Sequence, residues 1–176
     1  MAQRDKSIEL LNHAAALEIE TVLQYLYFYF HLDDEGYDHL ARLFRVTAIK
    51  EMDHIERLSQ RILYLGGEVI MKQEKEITYI DSDNFDVKKV LQVADDLEKT
   101  IIDTYNRFAR QAGDLEDSGT KRLLEQLVEM EEEHQDTYQT ELDHLNRFGK
   151  NYLALQTLQR AQTEADQDKG GTGFGE

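Results

Sequence analysis

Two stretches of the sequence carry a glutamate and a histidine three residues apart, Glu51 with His54 and Glu131 with His134. Residues at this spacing lie on one face of a helix. In both stretches, apolar residues at steps of three and four place the pair on the face that the helix buries. A buried carboxylate and imidazole need a partner, and a divalent cation is one. A single such pair is weak evidence, because a core histidine and a stray glutamate would explain it equally well.

The two pairs belong to an internal repeat with a shift of 80 residues. The shift relates the first two long helical segments to the third and fourth, so the chain resembles two copies of one helical hairpin. A core-facing glutamate precedes each pair by 33 residues, Glu18 in the first copy and Glu98 in the second. In an antiparallel hairpin with a short loop, these groups lie at similar height. We therefore expect six metal ligands in the middle of one bundle: Glu18, Glu51, His54, Glu98, Glu131 and His134.

The residue types at these positions favour two metal ions. Four carboxylates in one core would repel one another, and the same helix faces carry no lysine or arginine to pair them. Two divalent cations would neutralise them, and oxygen-rich ligation with one imidazole per metal suits iron or manganese better than structural zinc. A glutamate on each of two helices with Glu-x-x-His on the other two is the ligand pattern of ferritin-like di-iron carboxylate proteins. Spacing alone distinguishes Glu131 from its neighbours Glu132 and Glu133.

Long helices must position these groups, and the chain has no proline to interrupt them. The apolar periodicity predicts four long helices and a shorter one, at about 6–32, 38–65, 87–112, 118–148 and 152–163. Nearly 20 irregular polar residues separate the second helix from the third, for which Ser82 or Asp83 is the expected N-cap and Gly113 the expected C-cap. The sequence thus predicts an all-α, ferritin-like four-helix bundle with one long crossover between helices two and three, plus a short C-terminal fifth helix.

Composition excludes several classes of protein. With no cysteine, the chain has no disulfide framework, thiolate zinc site or cysteine-bound iron. A net charge of −16 disfavours binding to nucleic acid and would attract cations, although ordinary solubility explains it as well. No signal peptide and no run of 18 apolar residues occurs, so we expect a cytoplasmic protein that does not associate with membranes. We expect a ferritin-like di-iron domain over residues 1–165 and a flexible Gly-rich tail over residues 166–176.

Several of these segments resemble the bacterioferritins, over roughly residues 5–160. EMDHIERLSQRILYLGG, at residues 51–67, is similar to their second helix, and EEEHQDTYQTELD, at residues 131–143, to their fourth. GKNYLALQ, at residues 149–156, resembles the start of their short fifth helix. The resemblance implies that each iron has one terminal glutamate and one histidine, and that two glutamates bridge the pair. By this resemblance, Glu18 and His54 would bind one iron, and Glu98 and His134 would bind the other. Glu51 and Glu131 would bridge the two irons.

The resemblance also implies a function. Bacterioferritins are ferroxidases that oxidise Fe(II) with dioxygen or hydrogen peroxide and store the ferric mineral inside a homo-oligomeric cage. A 24-subunit cage is favoured, and a 12-subunit cage is known for DPS-like relatives with the same centre. The alternative is a di-metal enzyme that consumes peroxide or oxygen without storing iron, like a rubrerythrin or a manganese catalase. The absence of cysteine counts against the rubrerythrin version.

Three other residues are candidates for supporting roles. Met52 matches the methionine with which bacterioferritins bind haem between two subunits, although a packing or interface methionine is the alternative, so haem binding stays open. Tyr25 and Tyr105 lie two turns from the terminal glutamates on the same helix faces. They could donate hydrogen bonds to the ligands, act as redox-active tyrosines, or be ordinary core aromatics.

Overall fold

The computed structural model describes residues 2–81, 84–149, 151–156 and 158. Its long helices are α1 (Ala2–Asp34), α2 (Asp38–Tyr64), α3 (Val87–Asp114) and α4 (Ser118–Phe148). Residues 151–156 are also helical, no strand occurs in this described part, and the tail at residues 166–176 lies outside it. Helix α1 packs along α2, and α3 along α4. The predicted four-helix bundle with one long crossover is confirmed.

The capping residues of α3 differ from the predicted ones. Its N-cap is Asp86, whose carboxylate accepts a hydrogen bond from the backbone N–H of Lys88 at 2.9 Å. The prediction of Ser82 or Asp83 was therefore wrong, and both residues lie outside the described part. The crossover stays bonded to α1 as far as Ile80, and α3 starts at Val87, as predicted. Gly113 is not the C-cap either, because α3 continues to Asp114.

The crossover is held against α1 by a row of side-chain hydrogen bonds. Gln24 donates to the carbonyl of Thr78 at 3.0 Å and accepts from its N–H at 2.6 Å. Asn12, nearer the N-terminus of α1, makes a similar pair of hydrogen bonds with the backbone of the crossover. The hydroxyl of Tyr27 bonds both backbone groups of Ile80, at 3.2 and 3.0 Å. These bonds satisfy backbone groups that lie in neither a helix nor a sheet.

The hydrophobic core is divided into two clusters by a polar layer. One cluster, which includes Leu11, Leu58 and Leu124, lies towards the N-terminus of α1. The other, which includes Phe28 and Phe44, lies towards its C-terminus. Along every long helix, the predicted metal ligands fall between the residues of the two clusters. The fold therefore seals the polar layer at both ends with apolar side chains.

Candidate metal centre

The six predicted ligands come together in this polar layer. Each of α1 and α3 contributes one glutamate, and each of α2 and α4 contributes one glutamate and one histidine. Five of the side chains are fully buried and His134 is 4% exposed. Their donor atoms form two groups that share Glu51 and Glu131.

The first group is centred on His54. Its Nδ1 lies 2.8 Å from Oε2 of Glu51 and 2.8 Å from Oε1 of Glu131. Oε1 of Glu18 is 3.5 Å from the same nitrogen. Three carboxylates from three different helices therefore converge on one imidazole nitrogen.

The second group repeats this arrangement around His134. Its Nδ1 lies 2.8 Å from Oε1 of Glu51 and 3.1 Å from Oε2 of Glu131. Oε1 of Glu98 is 3.9 Å away. The two imidazole rings are nearly parallel, at 19°, with centroids 5.9 Å apart. Each shared carboxylate thus turns one oxygen to each histidine, the geometry required of a bridging ligand.

Many of these buried atoms have no hydrogen bond within the described residues. They include both oxygens of Glu51, Oε2 of Glu18 and of Glu98, and both nitrogens of His54. The short distances at His54 therefore join atoms that converge without the angles of a hydrogen bond. Leaving a buried polar atom unpaired costs about 1–3 kcal/mol. Oxygens and imidazoles grouped in this way fit two oxygen-preferring divalent cations such as iron or manganese.

Protons balance the charge of the cluster when no cation is bound. Burial, followed by the charge of Glu131, raises the pKa of Glu18 and of Glu98 well above the ordinary value. Burial lowers the pKa of a histidine, but the carboxylates of Glu131 and Glu51 close to its Nδ1 more than offset this and raise the pKa of His134 to about 9. The pKa of His54 is raised in the same way. Burial would also raise the pKa of Glu131, yet the proximity of the two histidines lowers it to about 2.

Two buried tyrosines hold the terminal glutamates. Tyr25 on α1 donates to Oε1 of Glu98 on α3 at 2.5 Å, and Tyr105 on α3 donates to Oε1 of Glu18 on α1. Each tyrosine therefore donates to a glutamate of the other hairpin. The sequence indicated only that each tyrosine shares a helix face with the glutamate of its own hairpin. Burial, followed by the nearby carboxylate charges, raises the pKa of both tyrosines, so both remain protonated donors.

The surroundings of the two tyrosines break the repeat. Tyr25 packs edge-on against Phe44 and Tyr138, with ring centroids 5.3 and 5.6 Å away. The repeat counterparts of these two aromatic residues are Leu124 and Leu58, which lie in the same core cluster as Tyr105. The spacing of the six predicted ligands gave no indication that Tyr138 packs against Tyr25.

Met52 lies apart from the cluster, on the outside of α2. It is 49% exposed, and the exposed apolar residues Val46 and Ile49 precede it at helical spacing on the same helix. An exposed thioether beside apolar side chains fits a ligand shared with a second subunit, and it equally fits an interface methionine. Haem ligation by Met52 stays a prediction.

Comparison with known proteins agrees with this geometry. Residues 8–148 match the family model for the ferritin-like domain. The chain belongs to the ferritin-like family. Two of its relatives are bacterioferritins, each 32% identical: that of Desulfovibrio desulfuricans (strain ATCC 27774 / DSM 6949 / MB), over 86% of this chain and 83% of the relative, and that of Brucella melitensis biotype 1, over 85% and 91%.

A solved structure of this ferritin-like family is similar over most of the chain. It is an X-ray structure of the Desulfovibrio desulfuricans bacterioferritin, which describes its diiron site in different catalytic states. The TM-score is 0.83 at 32% identity, and the match covers 87% of each chain. Among the residues described here, no helix is long and apolar enough to cross a membrane.

Proposed function

We propose that this protein is a ferroxidase that oxidises Fe(II) at a di-iron centre inside each bundle and stores the ferric product in a homo-oligomeric cage. The two groups of donor atoms that share Glu51 and Glu131 support this most strongly, because they offer two equivalent cation positions side by side. Bacterioferritin relatives with the same bundle support the same chemistry.

In this proposal, iron is the substrate and the chain supplies a charged, sealed site for it. The pair Glu18 and His54 would hold one ion, Glu98 and His134 the other, and Glu51 and Glu131 would bridge them. Each Fe(II) gives up one electron, so two ions together reduce one dioxygen to peroxide, or one peroxide with two protons to two waters. Four carboxylates favour the more highly charged Fe(III), which makes the electrons easier to remove. The apolar clusters at both ends of the layer exclude bulk water from it.

Aerobic titration with Fe(II) tests the proposed site. We expect a fast oxidation phase that saturates at two irons per subunit. Glu51→Ala should abolish it, because both groups lose a ligand, and His134→Ala should do the same. Glu56→Ala, on the exposed side of α2, is the matched control and should leave it unchanged. A fast phase that persists in Glu51→Ala would overturn the assignment.

The mass of the assembly tests the cage. Twenty-four subunits of 20.6 kDa give about 490 kDa, the favoured result, and twelve give about 250 kDa. Light scattering that shows only a monomer or dimer would exclude storage. It would favour the alternative of a di-metal enzyme that consumes peroxide or oxygen without storing iron.

Haem binding is a separate part of the proposal. Purified protein that carries haem at Met52 should show a Soret band, and Met52→Leu should remove the band without changing the fast oxidation of iron. Met52 lies outside the di-iron cluster, so the two effects can be separated. A Soret band that survives Met52→Leu, or none in the original protein expressed with haem available, would contradict this assignment.

A further inference from the structure

A second polar site lies between α1 and α3, beneath the crossover. It is a cavity of about 230 Å³. Its polar lining comes from α1, from the crossover and from α3: Glu20, Gln24, Lys75, Thr78, Asp96 and Thr100.

Glu20 is the unusual member of this lining. It is only 4% exposed. Its Oε2 accepts one hydrogen bond, from the backbone N–H of Lys75 at 3.2 Å. Its Oε1 accepts none from the described residues, and the ammonium of Lys75 is 3.8 Å away on a side chain that is 68% exposed. A carboxylate buried this deeply needs more compensation than one backbone bond and a distant, solvated ammonium.

The neighbouring contacts show that holding the crossover does not require a charge at this position. Asn12 and Gln24 bond the crossover with amides, each of which donates and accepts. A glutamine at position 20 could accept the same N–H that Glu20 accepts. The chain instead places a buried carboxylate there, at the cost of its desolvation, and such a local conflict is typical of a functional position.

The cavity also lies close to the pseudo-twofold axis that the 80-residue repeat implies. Glu20 and Thr100 are counterparts in the 80-residue repeat, and both line the cavity. The pseudo-twofold axis must therefore pass beside it. The same axis relates Glu18 to Glu98 in the metal centre, and these residues lie on the same two helices.

We propose that this cavity binds a third divalent cation, with Glu20 as its main ligand and oxygens of Asp96 and Thr100 as further ligands. The volume leaves room for a cation that keeps several of its waters, as weakly held divalent ions do. Lys75 competes for the same carboxylate and swings into solvent when the cation arrives. Assigning Fe(II) as the natural occupant rests on the proposed ferroxidase function, whereas the cation site itself does not.

Counting bound Mn(II) in the assembled protein tests this site. The electron paramagnetic resonance signal of free Mn(II) reports how many ions each subunit removes from solution. We expect three ions, two held tightly by the di-iron ligands and one more weakly. Glu20→Gln should bind two, and it keeps an acceptor for the N–H of Lys75. Lys75→Ala should tighten the third site about fivefold, as expected for removing one partly exposed competing charge.

The directions of these two effects separate a cation site from a structural ion pair. If Glu20 and Lys75 formed an ion pair that only holds the crossover, both variants would lower the stability of the protein. Neither variant would then change the number of bound Mn(II) ions. Glu74→Gln removes a neighbouring exposed carboxylate that does not line the cavity, and should still bind three ions. An unchanged count in Glu20→Gln, or unchanged or weaker binding in Lys75→Ala, would overturn the proposal. If Glu20→Gln does not fold, Lys75→Ala decides alone.

Failure of this site can be told apart from failure of the ferroxidase proposal. Loss of the weak ion alone leaves the two tight ions and the fast oxidation phase in place. A protein that binds no tight pair of Mn(II) ions and shows no fast phase would instead contradict the di-iron centre.

Discussion

At the residue scale, the arrangement depends on hydrogen bonds that reach across the bundle. Glu18 and Glu98 each accept a hydrogen bond at one oxygen from a tyrosine of the other hairpin, while Oε2 of each has no hydrogen bond with any described residue. Because each tyrosine is locked in the core, the free oxygen has a fixed position before a cation arrives. In the proposed centre, the tyrosines would therefore pre-organise Glu18 and Glu98 without being ligands themselves.

Removing one tyrosine hydroxyl should slow iron oxidation but keep its stoichiometry. We expect Tyr25→Phe and Tyr105→Phe to lower the rate of the fast phase by about tenfold, since the loss of such an outer hydrogen bond typically costs 10–100-fold. Stopped-flow absorbance with Fe(II) measures the rate, and the end point should stay at two irons per subunit. A purely positioning role predicts similar effects for both variants. Unchanged rates in both would show that the hydroxyl groups do not orient the glutamates.

Cation binding should release protons because the metal-free cluster holds them. At pH 7 both histidines are protonated, since the pKa of His134 is about 9 and that of His54 is also raised. Two ions should therefore displace at least two protons per subunit, and affinity should rise with pH, less steeply once His134 titrates near pH 9. Anaerobic calorimetry with Fe(II), in two buffers of different ionisation enthalpy, counts the protons. Binding without proton release would contradict the charge state described here.

Spacing was sufficient to predict which six residues meet, but not how their neighbours support them. The repeat placed Glu51 and Glu131 at one height, and the structure brings them together. The crossing of Tyr25 to Glu98 depends on how two hairpins dock, and no local pattern records that. The sequence did not indicate that Glu20 is buried, because its position predicts the solvent-exposed face of α1. The crossover covers this position in the structure.

At the element scale, one network of bonds ties the start of α4 to α2. Asp117 is the N-cap, and it accepts hydrogen bonds from the backbone and the side chain of Thr120. The guanidinium of Arg61 on α2 lies 2.5 Å from the same carboxylate. Gly119 leaves room for it, because a Cβ there would lie 2.6 Å from a guanidinium nitrogen. The cap and the ion pair together fix the height of α4, and so of Glu131, against α2.

This cap should make stability depend on pH in the acid range. Partial burial would raise the pKa of Asp117, but the bonds from Thr120 and Arg61 lower it to about 2. An unfolded aspartate titrates near pH 4, so the stabilisation is complete above about pH 4 and is lost as the pH falls towards 2. Asp117→Asn should therefore lower the thermal midpoint at pH 6 and reduce its dependence on pH between 4 and 2. Equal melting temperatures for both proteins at pH 6 would contradict this account.

Helices were predictable at this scale, whereas the crossover was not. Apolar residues repeat every three or four positions along α1 to α4, and the predicted bounds lie within a few residues of the observed ones. The crossover has no such period, and its order comes from the side chains of Asn12, Gln24 and Tyr27. The start of α3 at Val87 was predicted, but its cap was not, because Asp86 rather than Ser82 or Asp83 accepts the hydrogen bond from the first turn.

At the scale of the whole molecule, two apolar clusters enclose one polar layer that is costly without cations. Burying this layer without cations costs desolvation free energy, which two bound ions would offset. Cation binding should therefore also stabilise the fold. The net charge of −16 favours the approach of cations to every subunit. Under the proposed function, stability and iron oxidation would therefore depend on the same six side chains.

The most direct test is to locate iron in the bundle. Crystals grown without metal and soaked anaerobically in Fe(II), with anomalous differences measured at the iron edge, would show each ion. We predict two peaks per subunit inside the polar layer, one beside His54 and Glu18 and one beside His134 and Glu98, both in contact with the two shared glutamates. A single peak in this layer, or none, would contradict the di-iron centre.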